Sequence, residues 1–284
     1  VTDPIIPRNN ADRTGAAPIE RRAEREITRR YRAAQAQIIA EINRLGLDPD
    51  SAALLIDQAG AILDRWLSEG SPRQFWYSEE FTAEAASKGA AMANANLGKL
   101  SGAYQAARPF EAILYSDAYI TRMAMSRLAD LEHFTGLSSA ARSDLAGVIT
   151  NAVADGVSVR KASAQIAERL GVSKARANLY AQTQLPGALR EARWQESLWA
   201  EEELGIKTAL LWTSTLLPTT RANHASRHGR AYTVAEVKDF YSRDGNRYNC
   251  HCAQTEALLD DDGKPILSDS LKSTMTNERK KWQY

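Results

Sequence analysis

Apolar residues recur at helical spacing through the first two thirds of the chain. Ala23, Ile27, Tyr31, Ala34, Ile38, Ile42 and Leu45 follow one another at steps of four and three, the period of one helix face, and Gly46 supplies a stop. A second helix is expected from Ser51 to Glu69, with Leu54, Leu55, Ile62, Leu63 and Trp66 on its apolar stripe. Ser78 to about Tyr104 is rich in Ala, Gly and Asn, which lets neighbours approach closely. Phe110 to His133 carries Ile113, Leu114, Tyr119, Ile120, Met123, Met125 and Leu128, a stripe expected to be core rather than a cofactor box. Ser138 is expected to start a helix ending near Asp155. Ser158 caps Val159 to Leu170, which Gly171 ends. Ser173 then caps a long helix to about Glu203, kinked at Pro186 and followed by Gly205.

At Lys207 the texture changes. Thr208 to Thr213 has the composition of a strand, Val234 to Tyr241 of a helix, and Arg247 to Thr255 of a second strand. Asp260 to Gly263 marks a turn, and Ser268 to Trp282 a terminal helix. The fold class expected is mainly α, a multi-helix body with long helices followed by a small C-terminal α+β module. The boundaries are an extended N-terminal arm over 1–18, a helical body over 19–204 and the module over 205–284. The arm, with three prolines, is expected to stay disordered or to lie on a partner's surface. The module is small enough to want a staple or a partner.

Composition narrows the class. Hydrophobic residues at 44% and charged residues at 25% are ordinary for a globular protein, and 284 residues suffice to bury a core. A net charge of +1 means that any nucleic-acid contact must come from a local patch. Two patches qualify. One is the first half of the first helix, with Arg21, Arg22, Arg25, Arg29, Arg30 and Arg32 partly offset by Glu20, Glu24 and Glu26. The other is the C-terminal module, where Arg227, Arg230, Arg243 and Arg247 help outnumber the acids. A solvated face with ion pairs between successive turns accounts for the same residues. The chain has no apolar run of membrane-spanning length, and its start lacks the basic-then-apolar order of a secretion signal. No membrane partner is expected. Two cysteines one residue apart argue against a disulfide-stapled fold and for a reducing compartment.

The chain has four histidines and two cysteines, and five of these six fall between His224 and Cys252. His224 and His228 share a face if their segment is helical, as do Cys250 and Cys252 if theirs is a strand, with His251 turned away. Facing one another, His224, His228, Cys250 and Cys252 would make a tetrahedral structural zinc site and supply the missing staple. The competing reading is a pair of reduced core cysteines, with His224 bonding a loop and His228 at the surface. A Cys–His nucleophile from Cys250 or Cys252 with His224 is open as a third reading, although no carboxylate base stands out in the spacing.

Trp212-Thr213-Ser214, Arg221-Ala222-Asn223-His224, His228-Gly229 and Asn249-Cys250-His251-Cys252 follow one another in an order that resembles the Mu F-like/SPP1 gp7-like minor head protein family of tailed bacteriophages. The helix with Ala181-Gln182-Thr183-Gln184, leading into Glu203-Leu204-Gly205, resembles the segment that precedes this pattern in the family. The resemblance covers about 155–258, with its core at 203–252. Three features depart from it: Thr215-Leu216-Leu217 stands where an acidic residue is common, His251 replaces an Arg, and Gln-Thr-Gln replaces an Arg-Thr-Glu motif. The resemblance implies a minor capsid, head-morphogenesis protein present in several copies per virion. It would sit in the capsid interior near the portal, and in the host cytoplasm during assembly. Its implied partners are the portal protein, other capsid proteins and packaged double-stranded DNA. The motif residues so marked are Trp212, Arg221, His224, Gly229, Asn249, Cys250 and Cys252, with a structural rather than an enzymatic role. The alternative is a metal- or thiol-dependent enzyme, a nuclease or peptidase, acting in phage assembly.

Overall fold

The computed structural model describes residues 2–282. In chain order the elements are α1 (Ala17–Leu45), α2 (Pro49–Leu67), a hairpin of β1 (Gly70–Ser71) and β2 (Gln74–Phe75), a π-helical turn (Ser78–Thr82), α3 (Ala83–Leu100), α4 (Gly102–Ala107), α5 (Phe110–Leu114), α6 (Asp117–Ala154) and α7 (Val159–Leu204). There follow β3 (Thr208–Thr213), α8 (Ala222–Ala225), β4 (Ala231–Tyr232), α9 (Val234–Ser242), β5 (Ala253–Leu258) and α10 (Asp269–Lys281). The fold is mainly α, with long helices followed by a small mixed α/β region near the C-terminus.

Local chemistry sets most helix ends. The buried stripe of α1 is the expected one, from Ala23 to Ile42, and Gly46 at φ +85° closes the helix by donating to Ile42 O. Asp48 and Ser51 form a reciprocal capping box at the start of α2, and Ser268 caps α10. Two expected breaks are absent. Ser138 does not start a helix: it lies inside α6, where its hydroxyl donates to Asp64 at 2.8 Å. Gly171 does not end one, because Ala162, Ile166, Leu170, Ser173, Ala177 and Ala181 keep the same buried stripe in phase through it. Pro186 also lies within α7, and the helix continues past it.

The chain divides into two compact units that do not follow its linear order. One comprises Arg21–Phe81 and Met123–Ala181. It is built from helices and an aromatic cluster in which Phe134 packs on Phe75, Trp76 and Tyr77 with ring centroids 5.0–5.7 Å apart. Asp130, fully buried there, accepts from the Ser78 hydroxyl at 2.8 Å and the Tyr180 hydroxyl at 2.7 Å.

The other unit comprises Val1–Glu20, Thr82–Arg122 and Gln182–Tyr284. Its antiparallel sheet has the order β4-β3-β5, with Leu210 opposite Tyr232 and Leu211 opposite Thr255. Side chains alternate across β3: Leu210 and Trp212 pack with Trp194, Val237, Phe240 and Tyr241, while Leu211 packs with Ala257, Leu267 and Met275. The second strand begins later than its sequence suggests. Residues 243–252 form a loop because Asp244, Gly245 and Asn249 take positive φ and side chains rather than a neighbouring strand satisfy its carbonyls.

Residues 2–16 carry no helix or strand, yet they are fastened within this unit. The Asp3 carboxylate accepts from the Ser268 amide and hydroxyl, Ile5 N donates to Asn96, and Arg13 Nε donates to Ser214 O at 3.3 Å. These bonds offset the entropy cost of ordering the segment. Asn96 also donates to Glu256, whose carboxylate receives a bidentate bond from Arg193 at 2.9 and 2.6 Å. Arg193 on α7 and Glu256 on β5 are both buried, and α3 reaches α7 so closely that a Cβ on Gly89 would lie 2.1 Å from Leu189 O. Glu256→Ala leaves Arg193 buried and unpaired and is expected to cost about 3–5 kcal/mol. Urea unfolding of the full chain measures this, and a loss under about 1 kcal/mol would contradict the assignment.

Candidate metal centre

The motif residues converge on the loops around β3. Trp212 is fully buried, lies stacked on Tyr241 with ring centroids 5.4 Å apart, and donates its indole N–H to Ser214 Oγ at 3.0 Å. Ser214 Oγ donates in turn to His224 O at 2.6 Å, which sets the short helix α8 against the end of the strand. Gly229 takes φ +72°, its N–H donates to Trp212 O, and a Cβ there would meet the Met275 Cβ at 2.8 Å. Arg221 fastens the loop after α9, donating to Asn246 O at 2.8 Å and to Tyr248 O. From the other side Arg190 on α7 donates to Cys250 O at 2.7 Å.

This scaffold brings three of the four expected metal ligands together. His224 Nδ1 lies 3.4 Å from Cys250 Sγ and 3.7 Å from Cys252 Sγ, and the three donor atoms all lie within 4.8 Å of one another. All three residues are buried. Zinc–nitrogen and zinc–sulfur bonds of about 2.0–2.3 Å at a tetrahedral angle give an N···S edge of about 3.6 Å. The observed separations bracket that edge, and two thiolates with an imidazole form a donor set that zinc favours. The cluster is a plausible metal-binding site, consistent with structural zinc.

His228 is not part of it. The segment is helical only over Ala222–Ala225, so the one-turn spacing to His228 does not bring it beside His224. Its Nδ1 accepts from Ser214 N at 3.0 Å and its Nε2 lies 2.9 Å from Glu278. The two cysteines lie just before β5 rather than in a strand, and both nonetheless face His224.

The charges around the cluster are structured. A bond from Cys252, opposed by burial and aided by His224 and Arg190, holds the Cys250 thiol well below its ordinary range. The same bond, together with burial, pushes Cys252 well above it. Arg221 Nη1 lies 3.1 Å from His224 Nε2 and can only donate, so in the neutral ring Nδ1 carries the proton toward the sulfurs. A metal at Nδ1 would displace that proton, and zinc there would supply a crosslink between α8 and residues 250–252.

Beside the cluster, His251 turns away toward Asp12 at 3.6 Å and Glu20 at 3.7 Å, separations of ion pairs rather than hydrogen bonds. Burial works to raise the Asp12 carboxyl, but His251, the Thr14 hydroxyl and the amides of Ala17 and Gly15 outweigh it and hold the group far below the carboxylate range. Nothing in the sequence marks Asp12 or Arg190, because a lone polar residue in an arm or a helix has no spacing to betray it.

The expected contact arginines divide sharply. Arg227 lies over the Phe240 ring at 3.9 Å, Arg243 pairs with Asp239, and Arg247 lies 5.4 Å from the Tyr248 ring centroid. Arg230 is exposed. In the other unit Arg21, Arg25, Arg29 and Arg32 line a groove of about 540 Å³ with Glu24, Thr28 and Asn178, while Arg22 is exposed on the same helix.

Residues 143–255 match the family described as Phage Mu protein F like protein, about 40% of the chain. The matched segment takes in all of α7 and β3 and all three cluster residues. No curated protein and no solved structure matches the chain. The match supports a family-level assignment and a general phage structural or assembly role. No helix among the described residues is long and apolar enough to cross a membrane.

The purified chain is expected to hold about one zinc per molecule, and Cys250→Ser or Cys252→Ser to lower both zinc content and thermal midpoint. Elemental analysis with a melting curve checks this, and zinc near zero in the wild type counts against the site. Asp12 stabilises the fold above the unfolded carboxylate pKa of about 3.9, and the contribution is lost as pH falls toward its lower folded value. Asp12→Asn is therefore expected to cost roughly 1.5–3 kcal/mol at neutral pH, with the gap closing in acid. Denaturant unfolding across pH tests it; a gap independent of pH contradicts it.

Proposed function

We propose that the chain is a minor capsid protein of a tailed bacteriophage, acting inside the head at the portal vertex in head assembly and in DNA packaging or ejection. The observation that carries this reading is the Phage Mu protein F like match over residues 143–255, whose motif residues form one interlocked site. Each of them serves the architecture. Trp212 fills the core, Gly229 permits the close turn, Arg221 fastens a loop, and the cluster can be crosslinked by metal. Support for a DNA-handling role comes from the groove on α1, which four arginines line with Glu24, Arg29 also pairing with Glu26.

A second reading, a metal- or thiol-dependent enzyme of phage assembly, is favoured by the 3.4 Å approach of His224 to Cys250 beside a cavity. No carboxylate lines that cavity to serve as a base, and the structural role accounts for more of the motif. In an assembly protein Cys250→Ala impairs folding or incorporation into heads; in an enzyme it leaves folding intact and abolishes turnover.

The deciding experiment examines heads assembled with wild type and with Arg21, Arg25, Arg29 and Arg32 all replaced by Ala. The wild type is expected in purified heads, and the quadruple variant is expected to be incorporated while heads hold less DNA. Absence of the chain from both heads and assembly intermediates would overturn the reading.

A further inference from the structure

Three protein donors leave a tetrahedral ion one position short. Among the described residues, no fourth His, Cys, Asp or Glu joins the group of His224, Cys250 and Cys252. Structural zinc sites are closed by four protein ligands, whereas a site with three keeps a position for solvent or another molecule. Here the three ligands form part of the wall of a cavity of about 260 Å³. That is far more than the roughly 10–15 Å³ required by one water.

The chemistry of the cavity points to the class of occupant. Two thiolates offset the charge of a divalent ion, so the net field is set by the rest of the wall. That wall includes Arg221, Thr219, Thr220 and Asn249, and among the described residues no carboxylate lines it. His251 also lines it but is directed to Asp12 and Glu20. Arg221 bears on the site in a second way. With a metal on Nδ1, Nε2 of His224 carries the ring proton and cannot accept from Arg221 Nη1, now 3.1 Å away, so that N–H must turn from the ring, while the bonds of Arg221 to Asn246 O and Tyr248 O keep the guanidinium beside the cavity.

We propose that the fourth coordination position takes an exchangeable small anion of the carboxylate class, admitted from this cavity and held also by Arg221. This rests on the metal reading of the same three residues. The site is then a docking point for an anionic group rather than a sealed crosslink.

Cobalt(II) loaded into the full-length chain reports on coordination through its visible bands, without any assay of activity. Acetate, and azide as a spectral probe, are expected to shift those bands saturably in the wild type. Arg221→Lys is expected to keep the cobalt and weaken acetate about tenfold, the loss of one charge-assisted hydrogen bond. Should that variant fail to fold, the wild-type titration decides alone. Cobalt uptake with bands unmoved by either anion overturns the exchangeable position and leaves the metal site standing. Failure to take up cobalt or zinc at all overturns the metal site, and this inference with it.

Discussion

The buried bond between Arg193 and Glu256 is the constraint around which the unit that holds the three-stranded sheet is arranged. It joins α7 to the central sheet with both partners out of water, and Asn96 adds α3 to the same carboxylate while accepting from Ile5 in the arm. A buried ion pair contributes little net stability against an apolar alternative, but each half is costly without the other. Its effect is therefore on geometry: only an arrangement that brings α3, α7, β5 and the arm to one point leaves no charge stranded. Arg190, one turn earlier on α7, extends the same logic to the carbonyl of Cys250.

The cluster of His224, Cys250 and Cys252 depends on that frame. Its ligands come from the four-residue helix α8 and from a loop, and such short segments hold a geometry only when something else satisfies their backbone groups. Arg190 and Arg221 do so for residues 245–250, Ser214 for His224, and the Thr215 amide bonds the Cys252 sulfur. The site is thus built by arginines and hydroxyls on its periphery before any ion is considered. A metal held there would brace a C-terminal sheet of only three strands, two of them of six residues.

Much of the fold is legible in the chain. The α1 stripe, the terminal helix after Ser268, the strand from Thr208 and the concentration of His and Cys from His224 on all follow from periodicity and residue type. The misplaced boundaries share one cause. Ser138, Gly171 and the onset of β5 carry local signals that tertiary burial overrides. The stripes of α6 and α7 stay in phase through the expected breaks, and a side-chain-bonded loop replaces the start of the strand. The helical spacing that would group His228 with His224 lasts only four residues.

The sequence by itself determined the long helices, the strand that carries Trp212, and the ordered motif from Trp212 to Cys252, because these rest on spacing along one chain. The tertiary structure alone decided that the arm is fastened to Ser268 and Asn96, that His228 belongs to Glu278 rather than to a metal, and that Arg193 and Glu256 are partners. Those outcomes depend on which polar groups are left without water when distant segments pack. Periodicity records which faces are apolar, but not which buried donor will meet which acceptor.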